Sequence, residues 1–324
     1  MLTEEQKTVR PAGGMRWVRA AYAIVMIVGL WAITGYLATM PVVGYHAFWR
    51  EMRAEPADFG LTAEPAWFPA IDGVPLHGWF IRADGVPLGT VILAHGIDGN
   101  SSDMLPRAWF LVHNHYNAFL VDLRDHGMSD GNYASPGYME ARDILGALAY
   151  LRHVQHIRGP IAAFGHSYGA VACIFAAVES PDIAAVISDG AFISFVNMMH
   201  RATVLLAQDP EASFWDRVGL RLADTSMAEW LVLPMYYLRT GVWASGHRAN
   251  VLRAMPQLDD RPILLIAGQF DGICPPQNTK IMYEAALSPN KELFIVPGAD
   301  HDSTYAVAPE LYQKTVVHFL QRTL

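Results

Sequence analysis

Cysteine is scarce in this chain, since Cys173 and Cys274 are the only two among 324 residues. Two cysteines cannot form the disulfide framework of a small secreted domain, and they leave the redox compartment open. Hydrophobic residues make up 52% of the chain, which is enough for a large core. The fold is therefore expected to depend on apolar packing.

Charge is also sparse, at 17% of residues, with a net charge of −8. The body of the chain has no basic stripe, so nucleic acid is not expected as a partner. The pairs His113/His115 and His153/His156 have spacings that suit a metal, but no carboxylate or cysteine pattern accompanies them. We expect surface histidines there, and neither a metal nor an organic cofactor.

No charged residue lies between Ala20 and Tyr45. A bilayer is crossed by ~20 apolar residues, because each adds ~1.5 Å along a helix through ~30 Å of hydrocarbon. Residues 20–41 therefore predict a single transmembrane anchor. A cleaved signal peptide is the alternative, but its apolar region is usually ~7–15 residues long, and no small-x-small cleavage site follows.

The basic residues near this segment are biased toward its N-terminal side. Two of them, Arg50 and Arg53, follow the segment, and four precede it: Lys7, Arg10, Arg16 and Arg19. Because positive charge favours the cytoplasmic side, the tail 1–19 is predicted to be cytoplasmic and the body to lie on the other side of the membrane. Residues 42–65 are predicted to form a linker.

From Ala66 onward, short apolar runs alternate with helical patterns. The runs are apolar on both faces, as buried parallel strands are, and comprise 90–95, 117–122, 160–165, 183–188, 262–268 and 292–298. Helical patterns separate them, near 103–115, 138–153, 168–179, 276–287 and 304–322. An earlier hairpin surrounds the turn 71–75. This order predicts an α/β fold with a doubly wound, mostly parallel sheet and an antiparallel edge.

Residues 191–258 break this rhythm, since they contain no strand-like run. Large flexible or aromatic side chains are frequent there, among them Trp230, Tyr236 and Trp243. We predict a helical cap inserted into a core formed by 66–190 and 259–324. Such a run of side chains can be plain packing or a binding surface.

The motif Gly165-His166-Ser167-Tyr168-Gly169 follows one apolar strand and precedes a helical run. Strand, sharp turn and helix are the context of a nucleophile elbow. The strained turn leaves no room for side chains at its flanks, which explains Gly165 and Gly169. The arrangement predicts Ser167 as a nucleophile, with His166 directed away from the site.

A serine hydroxyl needs a base, and the base needs an acid that orients it. His301 follows the last strand, and Asp271 follows the preceding one, so both loops meet at one edge of the sheet. The order Ser167, Asp271, His301 suits an acyl-transfer site. Asp189, after the strand that follows the nucleophile helix, is the alternative acid, and Asp300 and Asp302 are expected to be loop or cap residues.

Acyl transfer also requires an oxyanion hole. One donor is expected to be the backbone N–H of Tyr168, directly after the nucleophile. The second is expected to be that of Ile97, in the loop after strand 90–95, where Gly96 allows close approach of the backbone.

These motifs resemble the α/β-hydrolase superfamily over roughly residues 66 to 322. The segment 122–131, DLRDHGMSDG, is similar to the R-G-H-G-x-S loop of lipases and esterases, with Asp125 where that family often has glycine. The resemblance implies the fold and a Ser-His-Asp mechanism, and it leaves the substrate open.

The sequence thus predicts a serine hydrolase of carboxylic esters, with an apolar cap and an anchor that favour lipid-derived acyl groups. A peptidase, thioesterase or acyltransferase on the same residues is the alternative, as is a binding protein that kept the fold. A cofactor-free haloperoxidase or C–C bond hydrolase also uses similar residues. The expected partners are a small-molecule or lipid ester and, through residues 20–41, the membrane.

Overall fold

The computed structural model describes residues 14–39, 51–194, 226–243 and 250–324, together with 198, 201, 204, 205 and 208. Most of the predicted linker lies within these ranges, but parts of the predicted cap 191–258 lie outside the described residues. The domain limits within that stretch therefore stay a prediction.

Eight strands form one sheet. Their bounds are β1 Ala63–Pro69, β2 Pro75–Ile81, β3 Gly89–Ala94, β4 Tyr116–Val121, β5 Ile161–His166, β6 Ile183–Asp189, β7 Ile263–Gly268 and β8 Lys291–Val296. The strand order across the sheet is β1-β2-β4-β3-β5-β6-β7-β8. Six of these strands, β3 to β8, run parallel to one another, whereas β2 is antiparallel to both β1 and β4. The predicted mostly parallel sheet with an antiparallel hairpin at its edge is confirmed.

Helices connect these strands and flank them. They are α1 Gly14–Thr39, α2 Leu105–His113, α3 Ala141–His153, α4 Tyr168–Glu179, α5 Ser226–Thr240, α6 Val251–Ala254, α7 Pro276–Ala285, α8 Thr304–Val307 and α9 Pro309–Thr323. Short 3₁₀ segments at Pro56–Phe59, Ser101–Met104 and Met255–Leu258 complete the described regular structure.

The central strands are buried on both faces. In β3, Val91 and Leu93 face one apolar layer that includes α2 and α9, whereas Ile92 and Ala94 face another that includes α3 and α4. Side chains alternate between the faces of a strand, so a strand covered by helices on both sides must be apolar throughout. This explains why the parallel strands appear in the sequence as continuous apolar runs.

One helix among the described residues is long and apolar enough to cross a membrane. It covers Trp17–Leu37 within α1, with a mean hydropathy of 1.9. Its side chains are almost all exposed in the folded chain. A membrane span and a signal sequence both fit this observation.

Candidate active site

Ser167 lies in the turn between β5 and α4, at the carboxyl edge of the sheet. Its backbone has φ 50° and ψ −111°, in the positive-φ region that residues with a side chain rarely adopt. The Ser167 N–H donates to the carbonyl oxygen of Asp189 at 2.6 Å, which fixes the turn to the end of β6. Such strain persists only where the surrounding structure imposes it, as at functional sites.

The two glycines of the motif are required by close contact. A β-carbon on Gly165 would lie 2.2 Å from the carbonyl carbon of Gly169, and one on Gly169 would lie 2.5 Å from the carbonyl oxygen of Ala94. Both distances are far below van der Waals contact and involve backbone that cannot yield. The steric reason predicted for Gly165 and Gly169 therefore agrees with the geometry.

The structure brings Ser167, His301 and Asp271 into one hydrogen-bonded chain. The distance from His301 Nε2 to Ser167 Oγ is 2.8 Å, and that from His301 Nδ1 to Asp271 Oδ2 is 2.7 Å. All three side chains are buried, so these hydrogen bonds face little competition from water. The roles of the three residues in a reaction stay predictions.

Asp271 is held in a fixed orientation by the backbone that follows it. Its Oδ1 accepts hydrogen bonds from the N–H groups of Ile273, at 3.0 Å, and Cys274, at 2.7 Å. These donors leave Oδ2 to face the imidazole. The carboxylate therefore positions His301 with Nδ1 as donor and Nε2 toward the hydroxyl of Ser167.

Asp189, the alternative acid, is bound elsewhere. Its fully buried carboxylate accepts hydrogen bonds from Arg107, Thr304 and Tyr312 at 3.1, 2.8 and 2.7 Å. Burial favours the neutral acid, but the neighbouring His166 and Arg107 outweigh it and hold the pKa of Asp189 below its ordinary value. Asp189 thus anchors α2 and α9 beneath the site, while Asp271 binds the imidazole.

His166 lies beside the site, although the turn predicted that it points away. Its ring centroid is 5.4 Å from that of His301, and its Nε2 lies 3.4 Å from the carboxylate of Asp302. Asp302 was expected to be only a loop or cap residue, but it contacts His166 beside the site. Asp300, by contrast, is a loop residue as expected, because its carboxylate accepts the N–H groups of Asp302 and Ser303.

The loop after β3 lies directly against the turn that holds Ser167. A β-carbon on Gly96 would be 3.5 Å from Cβ of Ser167, which shows how closely the two backbones approach. The Gly96 carbonyl oxygen is 2.7 Å from His95 Nδ1 and accepts the Gly99 N–H at 3.2 Å. The Gly96 carbonyl and the Ile97 N–H belong to the same trans peptide group, so the N–H points in the opposite direction to the carbonyl oxygen.

Sequence reasoning did not assign His95 a role of its own. Its Nε2 accepts the N–H of Leu123 at 3.0 Å, so Nδ1 carries the proton and donates to Gly96. Burial lowers the pKa of His95, which keeps the ring in this neutral form. The sequence position of His95 indicated a role in this loop, because His95 directly precedes Gly96 of the predicted oxyanion loop. The assignment of the Ile97 and Tyr168 N–H groups as oxyanion donors stays a prediction.

Asp125 occupies a position with φ 64°. Glycine is favoured in this left-handed region, and aspartate is among the few other residues that tolerate it. This accounts for aspartate in a loop where similar hydrolases often have glycine. The same loop is fixed by Asp122, whose carboxylate accepts the N–H groups of Ser101, at 2.7 Å, and Met128, at 3.2 Å.

Two groups of side chains among the described residues have the spacing of a metal site. They are His166, His301 and Asp302, and Asp271, Cys274 and His301. Both share His301, whose ring nitrogens already bind Ser167 and Asp271. Burial raises the pKa of the Cys274 thiol, and a thiol must lose its proton to bind a metal. The groups therefore suit the hydrogen-bonded site better than an ion.

The histidine pairs singled out in the sequence lie on the surface. All four rings, those of His113, His115, His153 and His156, belong to exposed residues. The expectation of surface histidines is confirmed.

A doubly wound sheet with a serine on a tight turn after β5 defines an α/β hydrolase, in which ligands bind at the carboxyl edge of the strands. The chain belongs to the alpha/beta hydrolase family, whose model matches residues 91–313.

Similar proteins match this chain over most of its length. The Bacillus subtilis protein YqkD is 28% identical over 71% of this chain and 70% of its own length. The alpha/beta hydrolase domain-containing protein WAV2 of Arabidopsis thaliana is 27% identical over 82% of this chain and 81% of its own. Among solved structures, the Pyrococcus furiosus esterase Pf2001 is 25% identical with a TM-score of 0.70, and the match covers 85% of this chain and 96% of that one. These likenesses support hydrolase activity in general.

Proposed function

We propose that this protein is a serine hydrolase that cleaves carboxylic esters through an acyl-enzyme. The observation that carries the proposal is the hydrogen-bonded chain from Ser167 Oγ through His301 to Asp271, with distances of 2.8 and 2.7 Å. The similarity to the P. furiosus esterase favours an ester as substrate over an amide.

In the first half-reaction, Ser167 Oγ attacks the ester carbonyl while His301 Nε2 takes its proton. Asp271 stabilises the imidazolium that forms and keeps its Nδ1–H in place. The backbone N–H groups of Ile97 and Tyr168 bind the oxyanion, and each such donor contributes ~3 kcal/mol of transition-state stabilisation. His301 then gives the proton to the leaving alcohol as the carbon–oxygen bond breaks.

In the second half-reaction, water attacks the acyl-enzyme while His301 again takes a proton. The oxyanion is bound by the same two N–H groups, and collapse of the intermediate returns the proton to Ser167 and releases the acid. The start of α4 directly after Ser167 adds the positive end of a helix dipole near the developing charge.

Labelling of the nucleophile tests this proposal. A fluorophosphonate probe is expected to modify the wild-type protein and the control Ser180→Ala, but not Ser167→Ala. His301→Gln should lose most labelling as well, since the hydroxyl then has no base. Labelling of Ser167→Ala at the wild-type rate would reject Ser167 as the nucleophile.

A substrate panel tests the reaction class. Acyl p-nitrophenyl esters of increasing chain length, acyl thioesters and peptide amides would be compared by kcat/KM. We expect the esters to be preferred, with longer acyl chains ahead of acetate if the cap binds an apolar acyl group. A preference for amides or thioesters, or acyl transfer to an added alcohol ahead of hydrolysis, would replace esterase by peptidase, thioesterase or acyltransferase.

The proposal includes attachment to a membrane through residues 20–41, with the hydrolase body on the non-cytoplasmic side. The apolar span Trp17–Leu37 and the basic residues before it support this topology. Alkaline carbonate extraction should leave the full chain in the membrane fraction, and protease added outside intact spheroplasts should cut the body. Release of a shortened soluble chain would indicate a cleaved signal sequence.

A further inference from the structure

Helix α5 of the predicted cap packs alongside the C-terminal third of α1. The indole N–H of Trp31 donates to the carbonyl oxygen of Trp230 at 3.2 Å, and Arg239 donates to the hydroxyl of Thr39 at 2.8 Å. The Arg239 guanidinium also lies 4.5 Å from the ring centroid of Tyr36. Because the contacts follow the same order along both helices, α1 and α5 run in the same direction.

Two small residues lie within this part of α1. Gly35 and Thr39, one turn apart, are buried, whereas most other described residues of this helix are exposed. Small residues four apart let two helix backbones approach closely. Among the described residues, most of the other side chains of α1 between residues 20 and 37 are apolar and exposed.

The opposite faces of α5 differ in their surroundings. Leu233 and Tyr236 are buried against an aromatic patch of the hydrolase core that includes Tyr133 and Tyr138, and the Tyr236 hydroxyl donates to the carbonyl oxygen of Ala134. One side of the helix is thereby attached to the core.

The outer face of α5 is apolar and exposed. Trp230, Tyr237 and Leu238 are 77%, 47% and 67% exposed, and their spacing of seven and eight residues places them on one side of the helix. The ring of Trp243, 5.6 Å from that of Tyr237, extends this face. Tryptophan and tyrosine are the residues that membrane interfaces favour.

We propose that this outer face of α5 lies in the lipid bilayer beside α1, in the outer half of the membrane. The proposal rests on the membrane anchor proposed above. Trp230 is level with Trp31, which precedes Leu37, the outer end of the span, by 37 − 31 = 6 residues. At ~1.5 Å per residue this places Trp230 ~9 Å below the outer end of the span, within the outer half of a hydrocarbon core that is ~30 Å thick.

The charged end of α5 fits the same placement. Arg239 is level with Tyr36 and Thr39, at the outer end of α1, where a guanidinium can reach the headgroups while its stem covers apolar surface. With α1 and α5 both in lipid, the hydrolase body is held with its cap side toward the membrane, so acyl esters dissolved in the bilayer can reach the cap without crossing water.

Fluorescent labelling of the full chain in phosphatidylcholine vesicles tests this placement. Single cysteines carrying an environment-sensitive dye would replace Leu238, on the outer face, Leu30, in the span, and Val86, which is 84% exposed on the loop between β2 and β3. The native thiols of Cys173 and Cys274 are buried with raised pKa values and should react slowly.

We expect the dye at Leu238→Cys to emit at shorter wavelength than at Val86→Cys and to be quenched by spin-labelled lipid. Aqueous emission at Leu238→Cys, with lipid-like emission at Leu30→Cys, would overturn the inference and leave the anchor intact. Aqueous emission at both positions would overturn the anchor and the inference together, and neither result would affect fluorophosphonate labelling of Ser167.

A kinetic comparison gives a second test. Leu238→Asp should lower hydrolysis of a long-chain ester embedded in vesicles by about tenfold, the loss expected when one large apolar side chain leaves lipid. Hydrolysis of water-soluble p-nitrophenyl acetate should stay unchanged, as should both activities in Val86→Asp. Equal rates for Leu238→Asp and wild type on the embedded ester would contradict the placement.

Discussion

Replacing Asp271 by asparagine is expected to reverse the proton arrangement on His301. In the native site, Oδ1 of Asp271 accepts two backbone N–H groups, from Ile273 and Cys274, and Oδ2 faces His301 Nδ1. An asparagine amide has one oxygen and one NH₂ group. Its oxygen must stay at the two N–H donors, because an NH₂ group there would leave three donors facing each other.

The NH₂ group of the asparagine must therefore face Nδ1 and donate to it. The imidazole then carries its proton on Nε2, directed at Ser167 Oγ 2.8 Å away, and cannot accept the hydroxyl proton. A triad with this wrong tautomer loses ~10⁴ in kcat, or ~5.4 kcal/mol at 1.36 kcal/mol per factor of ten. We expect a loss of this order for Asp271→Asn, with little change in fold because the substitution is isosteric.

The assay is kcat/KM on a short p-nitrophenyl ester, with thermal unfolding followed in parallel. Asp189→Asn serves as the matched control, since it makes the same chemical change one strand away. That variant should lose stability through its contacts with Arg107 and Tyr312, yet retain a far larger share of its activity. The assignment of Asp271 as the acid is refuted if Asp271→Asn keeps more than a tenth of wild-type kcat/KM. It is also refuted if Asp189→Asn lowers kcat/KM more than Asp271→Asn does when the folded fractions are equal.

Three further perturbations test the surroundings of the site. Gly190→Ala should lower kcat/KM more than tenfold, because its β-carbon would lie 3.2 Å from the imidazole of His301, the predicted base. The control Gly241→Ala has the same φ of 70° and no atom within 4 Å of its β-carbon. It should lower the free energy of unfolding by only ~1 kcal/mol, through the unfavourable backbone conformation, and leave kcat/KM unchanged. Arg107→Met should lower the free energy of unfolding by ~3–5 kcal/mol in denaturant titrations, because the Asp189 carboxylate is then buried without the Arg107 guanidinium. The double variant Arg107→Met/Asp189→Asn should recover part of that loss. Although burial opposes protonation, hydrogen bonds to carboxylates raise the pKa of His166. The contribution of His166 to stability is therefore fully present below pH ~6.5 and is lost as the pH rises through the raised pKa. A His166→Gln variant whose Tm is lower than that of wild type by the same amount at pH 5.5 and at pH 8.5 would contradict this.

The fold could be predicted almost completely from local patterns. Each predicted parallel strand begins and ends within one or two residues of the observed one, because strands covered on both faces are continuous apolar runs bounded by turns. The turn that holds Ser167 could be predicted from equally local sequence. Gly165, Ser167 and Gly169 lie within five residues, and the steric demand that selects the glycines acts within that same stretch.

Local sequence favours Asp271 as the acid but leaves Asp189 open as the alternative. Asp189 ends β6 and Asp271 follows the neighbouring parallel strand β7, so both carboxylates reach the same edge of the sheet. What separates them is a cation from a distant helix, Arg107, which lies 82 residues before Asp189 and binds it directly. A pattern that covers a few residues carries no information on such a pairing. The same holds for His166, because its contact with Asp302 joins the end of β5 to a loop 136 residues later in the chain.

The proposed anchor helix α1 shows a different limit of what can be predicted from sequence. Hydropathy measures how well α1 dissolves in lipid, and it treats every face of the helix alike, so it predicts a span but no partner. Yet Gly35 and Thr39 have the spacing of small residues that mediate helix packing in membranes, both are buried, and Thr39 contacts Arg239 of α5. A helix that served only as a tether would have no need of a face made for another helix. The burial of these two residues, together with the contact between Thr39 and Arg239, therefore argues that the proposed anchor also sets the orientation of the hydrolase.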